Sequence, residues 1–105
     1  MYQVMIVDDE PMAASLIVNI IKQKYNKFEI MGTAYDGEEA LELMEKKREP
    51  DVLITDIQMP VMNGLKLVEE TKKRYPEVLS VIVSGYQEFE YAKQAIAFGV
   101  CDYIL

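Results

Sequence analysis

Three apolar runs of this chain each end on residues that can do chemistry. Val4-Met5-Ile6-Val7 closes on Asp8-Asp9, Val52-Leu53-Ile54-Thr55 on Asp56, and Val78-Leu79-Ser80-Val81-Ile82-Val83 on Ser84. If the runs are parallel strands of one sheet, their carboxyl ends open on a single crevice, where open α/β sheets bind their ligands. Three carboxylates and one hydroxyl then meet with no lysine or arginine among them. Each carboxylate disfavours the ionisation of the others unless a cation sits between them. A hard divalent ion such as Mg2+, or Mn2+ in its place, takes oxygen ligands of this kind. The pattern points to metal-assisted phosphoryl chemistry.

The elements that must position these residues alternate along the chain. A first strand over Gln3 to Val7 precedes a helix over Pro11 to Lys24, with Pro11 suited to the first turn and Leu16, Ile17, Ile20 and Ile21 at helical spacing. Phe28 to Ala34 reads as a second strand, weakened by Gly32. Asp36 and Glu39 have the spacing of a helix-capping box, with Ala40, Leu41 and Met44 on the buried stripe of a helix that stops before Pro50. Asp51 to Thr55 is almost continuously apolar, as suits a central strand covered on both faces. Ile57 to Gly64 is a loop with Pro and Asn-Gly punctuation, and Leu65, Leu67 and Val68 begin a helix that Pro76 closes before the fourth strand. Phe89 to Phe98 predicts a fourth helix ended by Gly99, and Asp102 to Leu105 begins a fifth strand. Strands and helices at this pitch imply right-handed crossovers. The expected fold class is α/β: a flavodoxin-like, doubly wound, five-stranded parallel sheet of order 2-1-3-4-5.

With 105 residues the chain is one domain, residues 1–105, with room for one sheet and its helices. Half the residues are apolar, which suits a folded protein. The net charge of -7 repels a phosphate backbone, so no direct nucleic-acid contact is expected. There is no histidine, which excludes histidine-based triads, and the lone Cys101 has no partner for an intrachain disulfide and no metal-ligand spacing around it. The first apolar run is cut by Asp8-Asp9-Glu10 before it could serve as a signal-peptide core, and no stretch reaches membrane-spanning length. A cytoplasmic location with no membrane contact is expected.

Ile6-Val7-Asp8-Asp9-Glu10-Pro11, then Thr55-Asp56-Ile57-Gln58-Met59-Pro60-Val61-Met62-Asn63-Gly64, then Ser84-Gly85-Tyr86, in this order and spacing, resemble the receiver domain of two-component response regulators across essentially all of the chain. Ser84 through Lys93 further resembles receivers joined to AraC-type DNA-binding domains. The resemblance implies that Asp56 is the phosphoacceptor, taking a phosphoryl group from a sensor histidine kinase, and that Asp9, Asp56 and the backbone carbonyl of Gln58 ligate Mg2+, with Asp8 acting directly or through water. It implies that Ser84 donates its hydroxyl to a phosphoryl oxygen and moves toward it after transfer. Tyr103 is then the switch aromatic that rotates inward, though edge-strand packing explains a tyrosine there equally well. Gln58 and Tyr86 flank the site where the family sets the lifetime of the phosphorylated state. The partners implied are the kinase and the protein's own effector domain, transcriptional in type, with homodimer formation left open.

The family pattern also has a lysine just past the fifth strand, then a proline and a fifth helix, and the chain stops at Leu105 before any of them. The expectation is a stretch of a longer regulator with its carboxyl-terminal helix missing, which leaves one flank of the sheet and of the first helix without apolar cover. Three other classes fit less well. A metabolite phosphatase of the haloacid-dehalogenase type needs Asp-x-Asp after the first strand, where this chain has Asp8-Asp9-Glu10. A flavin carrier needs a hydroxyl- and glycine-rich phosphate loop there, and three acids would repel its cofactor. An interaction module that is never phosphorylated has no use for the acidic set. The expected function is a switch, not an enzyme.

Overall fold

A computed structural model describes residues 1–83 and the strand at 102–104, the latter for its backbone. Its elements are β1 (Tyr2–Val7), α1 (Pro11–Lys24), β2 (Phe28–Ala34), α2 (Gly37–Lys46), β3 (Val52–Thr55), α3 (Gly64–Arg74), β4 (Leu79–Val83) and β5 (Asp102–Ile104). The expected fourth helix, Ser84, Tyr86, Gly99 and Cys101 lie outside the described residues, as does the side chain of Tyr103.

The strands form one parallel sheet of order β2-β1-β3-β4-β5, the expected doubly wound order. β1 is an interior strand between β2 and β3, and its continuous apolar run serves two cores at once because alternate residues face opposite ways. Met5 and Val7 join Leu53, Ala34 and the α2–α3 residues Ala40, Leu41, Met44 and Leu67 in one core. Val4 and Ile6 pack on the other face with Ala14 and Ile21 of α1.

Local chemistry sets the element ends. Asp51 precedes β3, where its carboxylate accepts the Gln3 amide at 2.7 Å and its own amide donates to the Gln3 carbonyl at 2.8 Å, which ties the start of the strand to β1. Asp36 caps α2 as expected, accepting from the Glu39 amide at 2.8 Å. Glu39 reaches back one residue further than a capping box requires, to the Tyr35 amide at 3.0 Å. Gly32 sits just past a register shift in β2, where Met31 is the extra residue between the pairs Val4–Ile30 and Met5–Gly32. That bulge restores the pairing of Val7 with Ala34 at the end of the sheet that matters.

In α1 the packing falls on Ala14, Ile17, Val18 and Ile21, whereas Leu16 is 61% exposed and Ile20 42%. Among the described residues the α1 side of the sheet is incompletely covered, and an apolar groove of about 420 Å³ runs between α1 and the strand residues Val52, Ile54, Val81 and Val83. Among the same residues, no helix is long and apolar enough to cross a membrane.

Candidate functional site

The parallel register carries the acids together. Val7 pairs with Thr55 and Thr55 with Ile82, so β1, β3 and β4 end level with one another. The Asp56 amide donates to the Val7 carbonyl at 3.0 Å, and the Asp8 amide to the Ala34 carbonyl at 3.1 Å. These bonds extend the ladder one residue past each strand, so that Asp8 and Asp56 leave the sheet side by side. A carboxylate oxygen from each of Asp8, Asp9 and Asp56 lies within 4.8 Å of the others.

Each acid is held differently. Asp8 is buried, with Oδ1 accepting the Glu10 amide at 3.0 Å. This side-chain bond opens the turn into α1, where Glu10 occupies the N-cap without a side-chain cap of its own and Pro11 needs no donor. Asp9 is exposed at the mouth of the site. Asp56 is half-buried and its Oδ1 accepts the Ile57 amide at 2.8 Å, while the Thr55 hydroxyl donates to its main-chain carbonyl at 2.9 Å.

Burial pushes the Asp56 carboxyl up to about 6; the neighbouring charges of Asp8, Asp9 and Glu10 add to the shift, and the Ile57 amide partly opposes it. Asp8 is raised for the same reasons, burial first, with Asp9 and Glu10 adding and the Glu10 amide opposing. Clustered acids that resist ionisation gain from a cation placed among them. All the donors are oxygens, which is the set a hard divalent ion takes.

Of the residues singled out in the sequence, Asp8, Asp9 and Asp56 converge, and Gln58 is exposed in the loop two residues past Asp56. Tyr103 is on β5, its backbone paired with Ile82. Three contributors carried no isolated signal. Glu10 bears on both buried acids by charge, and only its place directly after Asp9 hints at it. Gly64 and Gly37 act through close approach. A Cβ on Gly64 would overlap the Asp56 carbonyl oxygen, and one on Gly37 would stand 2.8 Å from Cγ and Sδ of Met62.

Fold and site together define a doubly wound α/β domain with an acidic, cation-ready centre where its central strands end. The sequence matches the response regulator receiver domain over residues 4–105, and the chain belongs to that family. It is 37% identical over its whole length to YesN of Bacillus subtilis, an uncharacterized transcriptional regulatory protein, and covers 28% of that protein. It is 38% identical, again over its whole length, to the transcriptional regulatory protein HptR of Staphylococcus aureus, covering 40% of it. The chain thus spans less than half the length of these curated relatives. Among solved structures, the receiver domain of the response regulator AraT from Geobacillus stearothermophilus superposes with a TM-score of 0.88 at 39% identity, over 99% of this chain and 80% of that one. A LuxR-family DNA-binding response regulator from Staphylococcus aureus superposes with a TM-score of 0.91 at 30% identity, over all of this chain and 86% of that one.

Proposed function

We propose that residues 1–105 form a phosphoacceptor receiver domain in which Asp56 takes a phosphoryl group from the phosphohistidine of a sensor kinase and so switches an effector domain of the transcriptional type. The observation that carries this reading is the convergence of Asp8, Asp9 and Asp56 within 4.8 Å. In the transfer an Oδ of Asp56 forms the new O–P bond as the P–N bond breaks, and the electron pair of that bond returns to the imidazole nitrogen. Such transfer runs through a loose transition state, so the protein contributes mainly alignment and charge.

This chain's residues supply both. The Ile57 amide fixes Oδ1 of Asp56, which leaves the second oxygen as the nucleophile. Asp8, Asp9 and Asp56, with the main-chain carbonyl of Gln58, would hold Mg2+ or Mn2+. A divalent ion there neutralises the acids and the incoming phosphoryl oxygens. Ser84, the residue after β4, supplies a hydroxyl to the phosphoryl group, and Tyr103 on β5 follows its movement; Tyr86 and Gln58 set how long the acyl phosphate lasts.

Intact mass after incubation with Mg2+ and a small phosphodonor tests the reading. A single phosphoryl adduct that requires Mg2+ and is absent from Asp56→Asn supports it. An adduct retained by Asp56→Asn would move the acceptor elsewhere, and no adduct on a chain extended past Leu105 would leave an unphosphorylated interaction module.

A further inference from the structure

The loop that follows Asp56 contains an unfavourable backbone conformation. Val61 has a φ of 69°, and the Met62 amide donates to the Pro60 carbonyl at 2.7 Å, which closes a γ-turn around Val61. Positive φ is strained for any residue with a side chain and more so for a β-branched one. Val61 itself is 76% exposed, so no burial of its own side chain offsets the strain. Its neighbour does have a fixed place. The turn sets Met62 against Gly37, the first residue of α2, so closely that a Cβ there would stand 2.8 Å from Cγ and Sδ and 2.9 Å from Cβ of Met62. Met62 also packs on the core formed by Met5, Leu41 and Leu53.

From that anchor a short chain of contacts leads to the acceptor. Asn63 caps α3, and the Gly64 amide donates to the Ile57 carbonyl at 2.7 Å. The other side of that residue, the Ile57 amide, holds Oδ1 of Asp56 at 2.8 Å. The loop is therefore closed by the Gly64–Ile57 bond and held on the core by the buried Ile57, by Met59 and, next to its carboxyl end, by Met62 seated on one glycine. Strain that persists at such a place is retained because the surroundings determine it, and it clusters where geometry serves function.

We infer that Met62, seated on Gly37 by the γ-turn at Val61, is a positioning residue for the acidic centre: it sets the Ile57 to Asn63 loop and through it the Asp56 carboxylate and the Gln58 carbonyl. The inference rests on the metal-binding reading of that centre. Met62 touches none of the reacting groups. Its effect is that of outer support, whose loss typically costs a metal site about 10–100-fold in affinity.

The test compares Met62→Ala, Gly37→Ala, the double variant and Met62→Leu in the full chain. Mg2+ affinity is read by calorimetry and loop order by amide hydrogen exchange at Ile57 and Gly64 in the metal-free protein. Met62→Ala removes the anchor and Gly37→Ala pushes it out, so each is expected to weaken Mg2+ binding about tenfold and to speed exchange of both amides. Met62→Leu keeps the wild-type values. In the double variant the added Cβ still meets the Cβ of residue 62 but no longer Cγ and Sδ, so its loss falls short of the product of the two single losses. The two single variants approach the contact from opposite sides, so one that fails to fold leaves the other to decide. Exchange and affinity unchanged in both, or losses that multiply in the double variant, overturn the inference. A wild-type chain that binds no Mg2+ overturns the metal reading instead, while exchange in the metal-free variants still decides whether Met62 holds the loop.

Discussion

The amide of Asp56 donates to the carbonyl of Val7 at 3.0 Å, one residue past the last paired rung between β3 and β1. This bond explains why two acids 48 positions apart in sequence stand side by side. It places Asp56 level with Asp8 at the sheet's carboxyl edge, and the next residue in each strand direction is free to turn into a loop. The site is a property of strand register before it is a property of side chains.

Crowding of these acids has a pH signature. The Asp56 carboxyl is raised from 3.8 to about 6, with burial as the leading cause. A carboxyl whose folded value exceeds its unfolded one adds stability that is complete below the unfolded value and is lost as pH rises through the folded value. In chelator, the wild type is therefore expected to lose stability from this group between about pH 4 and pH 7. Asp56→Asn removes that dependence and is more stable than wild type at pH 7, by about 1 kcal/mol once solvent screening is allowed for. Urea denaturation at both pH values measures it. A variant that is less stable than wild type at pH 7 would contradict the electrostatic picture.

Gly64 is the position with least room. An added methyl would overlap the Asp56 carbonyl oxygen and crowd the Ile57 Cα, both of them backbone atoms that cannot rotate away. Gly64→Ala is expected to cost about 2–3 kcal/mol, as overpacking of rigid surroundings does, and to weaken Mg2+ binding by displacing Asp56. Thermal melts with and without the ion read both. A variant with wild-type stability and affinity would mean that the loop relaxes freely at this point.

Much of this was legible in the chain. The bounds of α1 and β2 follow from the placement of Pro11 and the run Phe28 to Ala34, and the parallel sense of the sheet follows from alternation. The three acids announce themselves because the pair Asp8-Asp9 and the single Asp56 each follow an apolar strand. What stayed hidden depends on distances between elements. Leu16 and Ile20 fit the helical stripe of α1 as well as Ile17 and Ile21 do, yet remain largely exposed: Ile20 borders the apolar groove, and Leu16 lies outside it beside Met12 and Asn19. Gly37 reads as a capping-box filler until Met62, 25 positions away, is seen against it. Contacts of that kind leave no periodic trace.

Thr71 shows where apolar substitution should help. Its hydroxyl is buried, at 1% exposure of the residue, and has no hydrogen-bond partner among the described residues. An unpartnered buried hydroxyl loses its hydration without return, while valine keeps the shape. Thr71→Val is expected to stabilise the chain by about 1 kcal/mol, with Mg2+ affinity unchanged because Thr71 lies about two helical turns along α3 from Gly64, which meets Asp56. Chemical denaturation checks the sign, and a loss of stability would indicate a partner for the hydroxyl in solution.

Val61 offers the complementary case, in which strain is removed and geometry kept. Glycine adopts positive φ without a steric penalty, so Val61→Gly preserves the γ-turn and the seat of Met62 on Gly37. The relief of roughly 1–3 kcal/mol for a strained backbone position is offset in part by the roughly 0.5–1 kcal/mol that glycine loses in chain entropy. A net gain of about 1 kcal/mol is expected from these two effects, with exchange at Ile57 and Gly64 as slow as in wild type. If the variant were stabilised but its loop amides exchanged faster, the side chain of Val61, and not the turn it forms, would be what holds the loop beneath Asp56.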